Sequence, residues 1–453
     1  MSRQHITRRR TFRRLLAGTA LGLTATLGIA ACSATATGDD ASSRVEAGDG
    51  TGTVTVWALD GQSAENEVIQ KIMDGFHTAN ADIEVDMQFI PADQFTTALQ
   101  TASDDELPDV VAVDGPVIAN FAYLGRIAPI DEWVSKDTID NQTDAIKGQN
   151  MVDGHLYAVG MMNSGLAMWG NKKLLDAAGI TMPTSAADAW TAEEFTQVVD
   201  TLSKLDADGK PLGIGEANGL TGEYGIYGFA PVLWSAGTPI LADGKAAGSL
   251  DSDTAAEAMT TFASWRDFVD PDTDGQAFQS GRVALNWMGN WLYPAYKEAL
   301  GDDLVVGPLP DFGAGAKTGS GTIAWAMGGA TKNAKAAGAL LDYLMSDEVV
   351  TKYTSANGAP PATLTALEAS PLYGAGKPLE FLSSQLNAAC PTEDKLTEDC
   401  VAVSRPVTAG YPVVTAEFGK ALSAIWGGAD AKSTLEAAAR AIDRDFADND
   451  DYK

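Results

Sequence analysis

The sequence predicts an α/β fold in two domains, on three observations. Short apolar strand segments alternate with amphipathic helical ones, and strand followed by helix followed by strand builds a parallel sheet. The second half of the chain repeats the same grammar. Beyond its leader, the 453-residue chain keeps roughly 400 residues, more than one compact domain accommodates.

Taken in order, "TVTVWALD" reads as a short buried strand. In "AENEVIQKIMDGFHTAN", Val68, Ile69, Ile72, Met73 and Phe76 recur at helical spacing and form one apolar face. "IEVDMQFI" is a second strand with inward Ile83, Val85, Met87 and Phe89, and "PDVVAV" a third. Further on, Thr191 and Glu194 make a capping box, so a helix starts at Ala192 and presents Phe195, Val198, Val199, Leu202 and Leu205. Ligands of open α/β sheets sit beyond the carboxyl ends of the strands. Asp60 and Asp114 leave the first and third strands there, either as ligand contacts or as caps of the helices that follow.

The amino terminus has an arginine-rich front, an apolar middle and a cysteine, and reads as an export signal over residues 1–31. Arg9-Arg10-Thr11-Phe12 resembles a twin-arginine pattern, leaving export by that route or the general secretory one. Ile29-Ala30-Ala31-Cys32 resembles a bacterial lipobox, with Cys32 carrying the lipid and residues 32–52 forming a flexible tether. Six arginines and no acidic residue lie in 1–31, so the mature chain has 31 − 6 = 25 basic against 61 acidic residues, a balance of −36. That charge, without a basic block, excludes nucleic acid as a partner. Cys390 and Cys400 flank an acidic loop of an exported chain and are expected to form a disulfide. No metal site is expected, because neither cysteine has a CxxC partner and only His77 and His155 remain. "DPDTDG", from Asp270, mimics a calcium loop but has Gly281 where the glutamate belongs, and reads as a turn.

Several segments, in succession, are similar to one family: "LPDVVAVDGPVIANFAYLGRIAPIDEWV", "GHLYAVGMMNSGLAMWGNKKLLDAAGI", "TSAADAWTAEEFTQVVDTLSK", "SGRVALNWMGNW" and "NGAPPA". They resemble the extracellular solute-binding proteins of carbohydrate ABC importers, the broad family that includes maltose-binding proteins, over residues 53–445. The match departs at "SGLAMWGN" and at Leu285.

The resemblance implies a periplasmic-binding-protein-like fold of type II, with two α/β lobes around a ligand cleft. Residues 53–162 and 322–362 would form lobe 1, and 163–321 with 363–453 lobe 2, with hinges near Met161-Met162-Asn163 and Thr322. It further implies a monomeric, lipid-anchored binding protein that captures a sugar, of two or more residues given the number of tryptophans, and delivers it to a membrane permease. Neither catalysis nor a cofactor is implied. Trp291 falls on the family's stacking aromatic, Gly289 where the backbone approaches the ligand, and Trp287 on the same turn. Trp234, Trp325 and Tyr411 fall at further cleft positions, while Asn163, Asn290, Asn357 and Arg405 supply hydrogen bonds. Aromatic faces suit the C–H face of a pyranose, and amides and charged groups its hydroxyls. Each tryptophan also has a core reading; Trp133, Trp190 and Trp265 are assigned to packing. Two other classes compete: a secreted glycosidase, with Glu216 and Glu223 as its most enzyme-like pair, and an adhesin without a small-molecule ligand.

Overall fold

The structure, a computed structural model, describes residues 44–453 apart from 62, 216–218, 272–274 and 391–392. The leader, Cys32, the middle of the "DPDTDG" run and Glu216 lie outside the described residues.

The first strands form as expected. β1 (Gly52–Asp60) pairs in parallel with β2 (Ile83–Pro91) and β3 (Val110–Asp114). Between β1 and β2 runs the helix Ser63–Ala79, whose Ile69, Ile72, Met73 and Phe76 are buried on the sheet. β4 (Ile127–Ala128), a small hairpin of β5 (Met151–Val152) and β6 (His155–Leu156), and β7 (Ala158–Gly160) complete the first half. The second sheet is built from β8 (Ser164–Asn171), β9 (Leu212–Gly213), β10 (Leu285–Gly289), β11 (Leu304–Gly307), β12 (Thr318–Gly321) and β14 (Ala402–Ser404). β13 (Ile323–Gly328) returns to the first sheet, in the order β2-β1-β3-β13-β4 with β7 also on β13.

Neither sheet is purely parallel, and the connections explain why. β7 runs into β8 through Met161–Asn163, and β12 into β13 through Thr322, so these two connections cross between lobes in opposite directions. Neighbours that cross in opposite directions pair antiparallel: β13 with β7 in one sheet, β12 with β8 in the other. β10 and β11 are also antiparallel to β8, so the second sheet departs from the repeated parallel grammar. All eight residues of β8 are buried, as expected of a strand covered on both faces.

The crossing ribbon is closed by its own polar groups. Thr322 Oγ1 donates to the Met162 carbonyl at 2.6 Å, and Ser164 Oγ to the Gly321 carbonyl at 3.0 Å. A third passage lies alongside, with Asn163 N donating to Pro360 O and Ala362 N to Met161 O.

In lobe 1 the helix Ser63–Ala79 and the helix Ala334–Leu344 cover one sheet face. In lobe 2 the helices Glu223–Ser235, Asp253–Ser264, Tyr411–Trp426 and Ala431–Asp448 pack together around Phe229, Phe262, Trp287 and Trp426. The capping box is present, with the helix at Ala192–Ser203; Leu205 falls beyond its end and is exposed, unlike the rest of the expected face. Cys390 and Cys400 are joined in a disulfide.

Candidate functional site

The carboxyl end of β3 meets lobe 2 through a buried cation. Asp114 makes no helix-capping bond; its two oxygens accept from Arg405 Nη2 at 2.8 Å and Nη1 at 2.9 Å. This bidentate geometry is the strong form of the pair. Arg405 follows β14 and is buried, and its Nη1 also donates to Glu223 at the start of the helix Glu223–Ser235. Tyr411 donates its hydroxyl to the same Glu223 oxygen, and Thr415 Oγ1 donates to the other at 3.0 Å. Burial pushes the Glu223 carboxyl up and the neighbouring guanidinium of Arg405 opposes that shift. The guanidinium itself is held well above its ordinary value: the two carboxylates outweigh its burial.

Aromatic rings border this cluster. Arg405 lies over the Tyr227 ring, 4.9 Å from its centroid, and Tyr227 in turn lies 6.0 Å from the Trp291 ring. The Tyr227 hydroxyl is 2.9 Å from Ser164 Oγ on the crossing ribbon. Gly321 makes this packing possible. A Cβ there would stand 2.8 Å from Arg405 Nη2 and 3.3 Å from the Tyr227 ring.

On lobe 1, Glu65, Asn66, Trp325 and Tyr353 line a small cavity together with Ile323, the residue that pairs with Asp114. A second cavity, of about 670 Å³, lies between Asp144–Gln149 and the region of the disulfide and carboxyl terminus. Of the candidate ligand contacts only Arg405 reaches it, and its described lining residues include no Trp or Tyr. Among its described lining residues Phe446 is the one aromatic, so it offers less of the surface that a pyranose face packs against than the Tyr227–Trp291 pair does.

The predicted residues thus separate. Asp114, Arg405, Tyr411 and Trp291 come together; Trp291 is partly buried, on the turn after β10. Asp60 is exposed at the end of β1 and accepts from Asn66 Nδ2 at 2.6 Å. Trp325 is a buried residue of β13 with one edge on the lobe 1 cavity. Trp234 and Trp287, expected as ligand contacts, are core residues instead. Trp234 is fully buried and donates to Glu393 Oε2 at 3.1 Å; Trp287 donates to the Gly228 carbonyl at 3.0 Å between Phe229 and Phe262. A strand alternates its faces, and β10 turns Trp287 onto the helices.

The amides also serve the fold. Asn163 Oδ1 accepts from Ser164 N and Ser320 Oγ across the ribbon, and Asn290 Oδ1 from Gly165 N at 2.8 Å. Asn357 Nδ2 donates to Glu65 Oε1 at 3.1 Å, and its Oδ1 accepts from Ala359 N. Gly289 is shaped by its neighbour. A Cβ there would fall 1.9 to 2.4 Å from the Trp291 ring, so the glycine makes room for that indole.

Sequence reasoning missed Tyr227 and Thr415 and read Glu223 only as half of a catalytic pair. The signal was present. Glu223 and Tyr227 are four apart on one helix, Tyr411 and Thr415 four apart on another, and such pairs share a helix face.

With this geometry established, comparison places the chain in a class. It belongs to the bacterial extracellular solute-binding proteins, whose family pattern it matches over residues 71–376. It is 24% identical over 302 residues to a putative binding protein of Brucella abortus, covering 64% of this chain and 71% of that one. It is also 24% identical over 329 residues to the diacetylchitobiose-binding protein DasA of Streptomyces coelicolor, covering 68% and 73%. Among solved structures, the GacH receptor of Streptomyces glaucescens, described unliganded and with acarbose, superposes with a TM-score of 0.70 at 22% identity, covering 89% of this chain and 100% of that one. The cyclic α-maltosyl-1,6-maltose binding protein of Arthrobacter globiformis gives 0.66 at 23% identity, with 86% and 97% covered. The fold is the two-lobed type II periplasmic-binding-protein fold expected from the sequence.

Proposed function

We propose that the protein captures a di- or oligosaccharide between its lobes and delivers it to the permease subunits of an ABC importer, without chemical change to the sugar. The observation that carries this reading is the meeting of the Trp291–Tyr227 aromatic surface with the Asp114–Arg405–Glu223 cluster where the two lobes touch. Rings pack against the apolar face of a pyranose and the charged groups bind its hydroxyls. The diacetylchitobiose-binding relative and the receptor described in complex with acarbose point to the same class.

In this reading, residues 53–162 with 322–362 move as one lobe and 163–321 with 363–453 as the other, bending near Met161–Asn163 and Thr322. Closure follows only from a ligand that binds the closed form more tightly than the open one. No cofactor takes part, and the protein acts as a monomer. Asp60 and the cavity edge of Trp325 serve the sugar from lobe 1, while the buried Asn290 and Asn357 act behind the surface by holding the elements that carry it. Cys32 anchors the chain to the outer face of the cell membrane; Cys32→Ser should release it into the soluble fraction, and persistence in washed membranes would count against anchoring. Capture itself is tested by thermal shift against a carbohydrate panel. A ligand at 100 times its Kd adds about 2.7 kcal/mol to native stability, and a panel that moves no melting temperature contradicts sugar capture.

A further inference from the structure

The charge of the site says which sugars it accepts. Arg405 is the one cation among the described residues of the cluster, and it is already committed. Asp114 takes both ends of its fork, Glu223 takes a further N–H, and the Tyr227 ring covers it. The remaining Nε is buried without a partner and inaccessible to an incoming group. Around it stand Asp114 and Glu223, while the lobe 1 cavity beside them carries Glu65 and, among its described lining residues, no Lys, Arg or His. The site therefore sets three carboxylates against one guanidinium.

Carboxylates that border a binding surface accept hydrogen bonds from sugar hydroxyls and pair with ammonium groups. A second carboxylate brought among them loses water and meets like charge, with the cluster's own cation occupied.

Resting on the capture reading above, we infer that this cleft selects neutral and amine-bearing saccharides and rejects uronates, with Asp114, Glu223 and Glu65 as the residues that set the selection. The aromatic surface is indifferent to the exchange of one exocyclic group, so the discrimination falls on charge alone.

The test uses charge-matched trios. Maltotriose, mannotriose and N,N′-diacetylchitobiose are each prepared with the terminal 6-position as hydroxyl, amine or carboxylate, and titrated calorimetrically into the full mature chain. In the trio whose parent binds tightest, the carboxylate should bind at least tenfold more weakly than the hydroxyl form, and the amine at least as tightly as the hydroxyl form. Added salt should narrow the gap, because screening weakens charge interactions. A carboxylate that binds as well as its parent, or a trio in which only the carboxylate binds, overturns the inference while leaving capture intact. Failure of all nine compounds overturns the capture reading and this inference with it. Asp114→Asn and Glu65→Gln assign the cause. The carboxylate-to-hydroxyl affinity ratio, which a loss of folded protein does not move, should rise severalfold in at least one of them. A ratio unchanged in both removes these carboxylates as its source and overturns the assignment.

Discussion

Trp287 and Trp291 stand four residues apart, yet one belongs to the interior of lobe 2 and the other to the surface where the lobes meet. Trp287 lies within β10, where the strand's alternation turns it onto the helix layer and its indole N–H is satisfied by the Gly228 carbonyl. Trp291 lies past the strand end, on a short 3-10 turn, with its ring folded over Gly289 and close to Tyr227. In the capture reading proposed above, the same residue type serves stability at one position and recognition at the other. What separates them is the end of the strand, because past it the alternation of faces no longer fixes where a side chain goes.

The largest effect expected from this contrast is at Trp287. Trp287→Ala leaves a large hole in a packed core and should cost about 3 to 5 kcal/mol of stability, read by denaturant unfolding. The folded fraction should still bind sugar with unchanged Kd, and an affinity loss that exceeds the unfolded fraction would erase the distinction. Gly289→Ala sharpens the contrast from the other side. Gly289 has extended backbone angles that alanine adopts freely, so the added Cβ acts only by displacing the Trp291 ring. It should weaken sugar binding about tenfold, about 1.4 kcal/mol, with little change in unfolding. A variant that binds normally would detach Trp291 from the site.

A further contrast concerns Trp234, the other tryptophan expected at the ligand and found in the core. Its partner Glu393 also accepts from the Ile240 and Leu241 amides. Burial nevertheless raises the Glu393 carboxyl to about 7, outweighing those hydrogen bonds. An acid raised on folding gives stability that is full below the ordinary value near 4.5 and is lost as pH rises through about 7. Relative to Glu393→Gln, the unsubstituted protein should lose on the order of 2 kcal/mol between pH 5 and pH 8, read as a difference in Tm. Parallel Tm profiles would refute a titrating Glu393.

Much of the fold was legible because periodicity reports burial directly. The face Ile69–Ile72–Met73–Phe76, the capping box at Thr191 and the apolar run 110–113 of β3 each appear where the spacing puts them. The antiparallel pairing of β8 with β10, β11 and β12 was not legible, because no local pattern encodes the direction in which the chain crosses between lobes. The site was legible in its charged half: Asp114 from its place at a strand end, Arg405 and Tyr411 from resemblance. The tryptophans were harder. A motif position does not say whether an indole points up from a strand or out from its end, and so Trp234 and Trp287 were grouped with Trp291. Glu223 and Tyr227 were hidden for another reason. A glycine-rich stretch reads as a loop, while the four-residue spacing that puts both on one face counts only once a helix is known to begin at Glu223.

The central claim is that Trp291 faces sugar rather than core, and calorimetric titration of Trp291→Ala tests it most directly, paired with melting of the same ligand-free variant. An aromatic platform of this kind carries about 2 to 4 kcal/mol when its area and stacking are combined. The account predicts affinity weaker by roughly 30- to 1000-fold with a nearly unchanged ligand-free Tm, and with Trp291→Phe retaining most of the binding. An unchanged Kd alongside a collapsed Tm would contradict it and return Trp291 to the same role as Trp287.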